Sequence, residues 1–202
     1  MQEDKITMQG FHGTCSKHFK SIKEYGLDPK KVKYREDHWL GQGVYFFDDL
    51  EIAEWWAIDQ SEKSYNINTY PIVYSAQIIA DKHRILNLDN KIELDSFLDF
   101  IVQTSDDIKV AYTEKVPEFT EENFRAVYFD YYKRQNDIAV IIYTFSKPLV
   151  KYAKMRNHND SKLIKKFSNI LKIDYHEKQI CVSDKICIED IKIEYNGKEE
   201  VI

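Results

Sequence analysis

Three short segments of this chain carry residue types suited to gripping a flat, polar ligand. The first is Phe11-His12-Gly13-Thr14. The second is Leu40-Gly41-Gln42-Gly43-Val44-Tyr45-Phe46, with Ala53 and Trp56 after it. The third is Gln179-Ile180-Cys181-Val182. Tyr45 and Trp56 can form two aromatic walls, because Trp56 lies two turns into a helix whose return brings its ring over the strand of Tyr45. Gly13 has no Cβ, so its backbone can be approached closely. His12 and Gln179 supply polar anchors, and Gly41 and Gly43 shape a turn. Such a set works by positioning and electrostatics, with little covalent work for the protein. The six His show no H-E-x-x-H spacing, so no metal site is expected. Cys15, Cys181 and Cys187 form no CxxC pair and read as buried fillers in a reducing compartment.

These residues need elements to hold them. Ile6 to His12 reads as a strand. Ser16 to Tyr25 is predicted as a helix, with Phe19, Ile22 and Tyr25 on one face and Gly26 closing it. Val44 to Phe47 reads as a strand, and Leu50 to Asp59 as a helix capped by Asp49. Pro71 to Ala80 is a core strand. From Lys82 to about Lys133 the pattern turns helical. Leu94, Phe97, Leu98, Ile101 and Val102 mark one amphipathic helix. Thr120 would cap another, with Phe124, Val127, Tyr128 and Tyr131 on its apolar face. Asp137 to Phe145 reads as a strand, Lys162 to Leu171 as a helix, and Gln179–Val182 and Cys187–Tyr195 as closing strands. The expectation is one α+β domain over 1–202 with a mostly helical insertion at about 82–135.

The order of the three segments resembles the poly(ADP-ribose) polymerase-like branch of the ADP-ribosyltransferases. That family carries His-Gly-Thr or His-Gly-Ser on a strand, then a helix with Ile and a closing Gly-Leu; here stand His12-Gly13-Thr14, Ile22 and Gly26-Leu27. It then carries Gly-x-Gly-x-Tyr-Phe before a helix of small and aromatic residues; here stand Gly41-x-Gly43-x-Tyr45-Phe46, Ala53 and Trp56. Its late strand begins with Glu or a replacement; here Gln179 opens that strand. The resemblance covers the first sixty residues or so and the last twenty-five. It implies a split β-sheet core and NAD as co-substrate, without a metal. It also implies a cofactor site of His12, Gly13, Thr14, Tyr45, Ala53 and Trp56, with catalytic roles for Gln179, His12 and Tyr45. The Gly13 N–H and C=O would take the carboxamide, and His12 a hydroxyl of the adenine-side ribose. Ala53 stands where better-known members have Ser, and one amide contact is lost. Gln179 keeps a hydrogen bond but not the charge of Glu. Glu177, on the same strand face, and Glu189, on the next strand, are alternative carboxylates. Loss of the Glu favours transfer of a single ADP-ribose over chain growth. An RNA 2′-phosphotransferase would share the fold but need an Arg-His-Arg set that has no place here.

Composition bounds the setting. The chain has 202 residues, 43% apolar and 31% charged, which are values of a globular domain. The start MQEDKITMQG lacks a basic and an apolar region, and no apolar run reaches the length of a membrane span, so a cytoplasmic protein without membrane contact is expected. The net charge is −5, yet Lys147–Lys172 holds eight basic residues and one acid. Such asymmetry marks either a solvated face or a nucleic-acid contact. The leading expectation is a mono-ADP-ribosyltransferase of a bacterium or phage. Its acceptor would be a macromolecule, with RNA or DNA favoured over protein, met through Lys147–Lys172. Its role would be that of an intracellular toxin or anti-phage effector, held in check by an antitoxin or inhibitor protein. The alternative is a catalytically inactive module of the same fold that binds nucleic acid or a protein partner.

Overall fold

Seven strands form one sheet in the order β4-β5-β6-β2-β1-β3-β7 in a computed structural model that describes residues 4–35, 38–113, 121–148, 155, 161–171 and 174–198. The strands are β1 (Lys5–Cys15), β2 (Val44–Phe47), β3 (Pro71–Asp81), β4 (Ile85–Asn87), β5 (Val140–Pro148), β6 (Asp174–Val182) and β7 (Ile188–Asn196). The helices are α1 (Phe19–Tyr25), α2 (Leu50–Ser61), α3 (Lys91–Thr113), α4 (Glu121–Asn136) and α5 (Ser161–Leu171). The protein is therefore mixed α+β, and no described helix is long and apolar enough to cross a membrane.

The sheet has a weak seam. β1 pairs with β3 along its whole length, from Lys5↔Asp81 to Cys15↔Pro71. β2 pairs with β6 along all four of its residues. Between β1 and β2 there is one pair, Phe11↔Phe47. The two half-sheets thus meet at a point and part beyond it. One face of both halves closes over Val44, Phe46, Ile72, Ile78, Ile180 and Val182, and Phe19 and Ile22 of α1 pack against it. The other face is shared. α2 covers Phe47 and Val73 with Ile52, Ala53 and Ala57. The α3–α4 pair covers Leu86, Ile141 and Cys181, with Phe97 and Phe129 stacked at 4.7 Å.

Several expectations need correction. The mostly helical region after Lys82 also holds a strand that the pattern did not show. It opens with β4, which lies parallel to β5 and forms the sheet's edge. Gln179 does not open the late strand. β6 begins at Asp174, because alternating exposed and buried residues continue upstream through Tyr175 and Glu177. The buried stripe of α3 is narrower than its pattern, since Leu98 and Val102 are exposed while Phe97 is buried. α4 turns Ala126, Phe129 and Lys133 inward, so one of its charges is buried. The Thr120 cap lies outside the described residues. The Asp49 cap is seen, its Oδ1 accepting from the N–H groups of Glu51 at 2.8 Å and Ile52 at 3.4 Å.

α2 can lie close to β1 only because the contact residues are small. A Cβ on Gly13 would sit 2.1 Å from the Ala53 carbonyl oxygen and 3.1 Å from the Ala57 nitrogen. Overpacking against backbone cannot be relieved by a rotamer change, so Gly13→Ala should cost about 3 kcal/mol or more. That is roughly 6–12 °C in melting temperature for a chain of this size. A thermal melt equal to wild type would contradict this packing.

Candidate functional site

The seam between β1 and β2 opens into a cleft of about 620 Å³, a size common for small-molecule sites. His12, Gly13, Thr14, Tyr45, Trp56 and Gln179 all line it. Ala53 does not. It is fully buried, with its carbonyl against Gly13, so it serves the close approach of α2 rather than a ligand.

Gly13 presents backbone to the cleft for a geometric reason. Ser16 N–H donates to Tyr70 O on the β3 side, and Asp4 O accepts from Lys82 N on that same side. Backbone groups alternate sides along a strand, so the even-numbered residues of β1 face β3 and Gly13 faces the gap toward β2. The glycine is thus needed for α2 behind it, while its N–H and C=O point where β2 has turned away.

His12 bridges the same gap. Its Nδ1 lies 2.8 Å from the Tyr45 carbonyl oxygen. A carbonyl only accepts, so Nδ1 carries the proton. Burial holds the imidazole below its ordinary value, more strongly than the Tyr45 contact raises it, with His18 adding a smaller lowering. The ring is therefore neutral near pH 7, and Nε2 is left as an acceptor for a hydroxyl donor.

The Tyr45 ring is a wall, and its hydroxyl is occupied. It donates to Gly41 O at 2.7 Å and accepts from Leu40 N–H at 2.8 Å. Burial, then the neighbouring Cys181, pushes its ionisation far above the ordinary range. With both bonds in place, Tyr45 pins the turn in which Gly41 holds φ +77°. Trp56 stands against Phe47, with ring centroids 6.1 Å apart.

β6 contributes a group centred on Glu177. Glu177 is 2% exposed and lines the cleft. It accepts from the Tyr175 hydroxyl at 2.5 Å and from Gln179 Nε2 at 2.6 Å, one donor on each oxygen. Two donors offset part of the cost of burying a carboxylate. Burial and Glu177 together raise Tyr175 well above its ordinary value, so the phenol stays a donor. Glu189 is elsewhere: it is exposed on the edge strand β7, opposite Gln77.

The turn that carries Tyr45 is clamped from α4. Asp130 Oδ1 accepts from Gln42 N–H at 2.7 Å, and Lys133 Nζ donates to Gln42 O at 2.8 Å. The Gln42 side chain then holds the cleft's outer loop, its Nε2 donating to Val32 O at 2.6 Å and its Oε1 accepting from His38 Nδ1 at 3.1 Å. Cys181 lies beneath, 3.6 Å from Lys133 Nζ, and burial raises its thiol. Sequence reading missed Asp130 and Lys133, because an acid and a base three apart on a helix look like a solvated pair.

The cleft's charge is positive. Lys31, Lys33, Arg35 and Lys147 line it against Asp28 and Glu177. Lys147 is the one member of the basic segment in the cleft among the described residues, 9% exposed with Nζ 3.6 Å from the Trp39 ring centroid. Lys162, Lys165 and Lys166 lie exposed on α5. Lys151, Lys154, Arg156 and Lys172 lie outside the described residues.

No family model matches the chain, and no solved structure matches it. The chain is similar to an uncharacterized protein of Methanocaldococcus jannaschii, 27% identical, over 98% of this chain and 91% of that protein.

Two outcomes test this geometry. A histidine held neutral below its free value of 6.5 takes up a proton on unfolding. Folding stability should thus fall as pH drops below about 6.5, down to the lower folded-state value, and be independent of this group above that window. His12→Gln should flatten part of the slope in denaturant titrations between pH 5 and 7.5, and an unchanged slope would contradict the buried neutral ring. Lys133→Met should cost about 3 kcal/mol, the low end for a broken buried pair because Asp130 keeps some water. Loss of stability in Lys133→Met should be recovered in part by Asp130→Asn on the same chain, as a double-mutant cycle reads directly.

Proposed function

We propose that this cleft binds a nicotinamide dinucleotide and transfers one ADP-ribosyl group to a macromolecular acceptor. The observation that carries the reading is the meeting of the Gly13 backbone, His12 Nε2 and Trp56 with the Glu177–Gln179 pair on one cleft wall. An outward N–H and C=O on one residue match a carboxamide, which needs one acceptor and one donor. Trp56 offers an aromatic face to a flat ring. A neutral imidazole acceptor suits a ribose hydroxyl. The cations at the cleft mouth suit a pyrophosphate. The half-sheets meeting at one residue pair agree with the split sheet of ADP-ribosyltransferases, the family that the sequence motifs resemble.

The electrostatic part falls to Glu177 in this reading. Cleavage of a glycosidic bond to a pyridinium leaves positive charge on the ribose. A carboxylate fixed by two hydrogen bonds in a buried site stabilises that charge without reorganising. Gln179 orients Glu177 through its Nε2 and keeps its own carbonyl oxygen to accept from a hydroxyl. The charge that the usual Glu would bring thus comes from two residues upstream on the same face. Tyr45 acts as a wall and a pin. A small transferase of this kind suits an intracellular toxin or an anti-phage effector restrained by a partner protein.

A second reading is favoured by one feature. Gln179 spends its amide on Glu177, which also describes an inert, internally satisfied site. The chain would then be a binding module.

Release of nicotinamide from NAD by the purified chain separates the two readings. Glu177→Gln should lower the rate about 10²–10³-fold, as loss of one preorganised electrostatic group does. NAD affinity should change far less. Glu189→Gln should match wild type. Equal rates for Glu177→Gln and wild type would remove Glu177 from the chemistry, and no release at all would leave the binding module.

A further inference from the structure

The sheet ends at β4, and the outer edge of that strand borders a second cavity of about 310 Å³. The cavity shares no lining residue with the cleft at the seam. Leu86 and Ile138 give it a buried apolar lining. Glu93 and Ser96 reach it from the start of α3, and Tyr132 and Asn136 from the end of α4. Its volume falls at the small end for sites that hold small molecules.

Edge strands expose backbone groups, and most of those on β4 are already met. Arg84 O accepts from Ala139 N–H and Leu88 N–H donates to Ile142 O, so the even-numbered residues face β5. Backbone groups alternate sides along a strand, which turns Ile85 and Asn87 outward. Asn87 N–H donates to Glu93 Oε2 at 2.6 Å, Asn87 O accepts from Asn90 N–H at 3.0 Å, and Ile85 N–H donates to Lys82 O. Ile85 lines the cavity, and its outward carbonyl has no donor among the described residues.

The side chains leave the same imbalance. Glu93 is half-buried, its Oε1 accepts no hydrogen bond, and it has no ion pair among the described residues. Arg84 pairs instead with Asp137 and Asp184, and Lys91 with Asp95. Ser96 Oγ and Asn136 Nδ2 donate within their own helices, to Ile92 O at 3.0 Å and Tyr132 O at 3.1 Å. Ser96 Oγ and Asn136 Oδ1 are thereby left as acceptors. The Tyr132 hydroxyl has no partner among the described residues and is not buried. Burial of the side chain, then the Glu93 charge, raises its ionisation, so the phenol keeps its proton beside that carboxylate.

We propose that this edge cavity binds a primary ammonium group carried on an apolar stem. Glu93, Tyr132, Asn136, Ser96 and the Ile85 carbonyl all offer acceptors, and the carboxylate has no cation of its own. An ammonium brings three donors and a positive charge. An anion would meet the Glu93 charge with only the exposed His83 imidazole to offset it. An uncharged ligand would leave Glu93 without a counter-charge. A guanidinium fits less well, because its forked pair takes both oxygens of a carboxylate and Glu93 spends Oε2 on the strand edge. Leu86 and Ile138 cover the carbon stem, as apolar surface covers the stem of a lysine whose head stays polar. The proposal rests on no part of the transferase reading. A free alkylamine and a lysine side chain of another protein share this chemistry, and the experiment separates them.

Titration of the intact chain with n-pentylamine tests the site, read by the Asn87 amide and the Asn136 side-chain amide in ¹⁵N–¹H correlation spectra. Both should shift along one saturable curve at millimolar amine, with the Gly13 amide of the cleft unmoved. n-Pentanol, which lacks the charge, should bind about tenfold more weakly, and n-pentylguanidine more weakly than the amine. Glu93→Gln, whose side-chain oxygen can still accept from Asn87 N–H, should weaken pentylamine about tenfold. Tyr132→Phe keeps the ring that packs against Phe97 and Phe100 and should also weaken it, which serves if Glu93→Gln fails to fold. N-acetyl-lysine methylamide separates the sources. Binding as tight as that of pentylamine assigns the site to a protein side chain, and weaker binding assigns it to a free amine. Absence of a saturable shift at Asn87 with pentylamine overturns the proposal. Equal affinity for pentylamine and pentanol, or equal affinity of wild type and Glu93→Gln for pentylamine, overturns it as well. Tighter binding of pentylguanidine overturns the choice of ammonium.

Discussion

Strands β1 and β2 share the pair Phe11↔Phe47 and then part. A continuing antiparallel ladder would consume the backbone groups of Gly13 and Tyr45. Parting frees them, and the structure replaces the missing ladder with a side chain, His12 Nδ1 donating to Tyr45 O. That bond holds the two half-sheets at a fixed gap without closing it. The gap's walls are then set by whatever stands next to the seam: the Gly13 backbone on one side, Tyr45 and Phe47 on the other, and Gln179 and Glu177 one strand further. α2 can reach the seam only across Gly13, Ala53 and Ala57, and its approach places Trp56 over the opening.

An open seam needs bracing, and the α3–α4 pair supplies it from outside the half-sheet it covers. Asp130 and Lys133 hold both backbone groups of Gln42, and Gln42 holds Val32 and His38 of the outer loop. Tyr45 closes the circuit through Leu40 and Gly41. A buried ion pair adds little net stability by itself, because desolvation offsets its attraction. Here its value is positional: a cation and an anion together fix one peptide in one orientation. Two side chains of α4 thus reach, through Gln42, the loop that lines the cleft.

Sequence made the local units legible where a residue type has one physical use. Asp49 before an apolar helix can only cap, and Val44–Phe47 between a glycine turn and that cap can only be a short strand. The site residues clustered because motif order follows strand order around the seam. What escaped depended on contacts across long separations. Lys133 is buried against Gln42, ninety-one positions earlier, and no helical period marks it. Tyr175 escaped as well, since only pairing with β5 shows that β6 runs back past Glu177 to reach it. Gly13 was legible as a close approach, but its Cβ direction is filled by α2, and its polar groups face the opposite need. Ala53 looked like a ligand position with a missing hydroxyl, and its real constraint is the same contact.

The proposed function requires the Gly13 peptide and the Trp56 ring to form one ligand-binding surface at the seam. A ¹⁵N–¹H correlation spectrum of the intact chain, titrated with NAD, reads both directly. The Gly13 amide and the Trp56 indole N–H should shift together along one saturable curve, with the Glu189 amide on β7 unmoved. Saturable shifts confined to residues away from β1 and α2, or no shift at millimolar NAD, would contradict it.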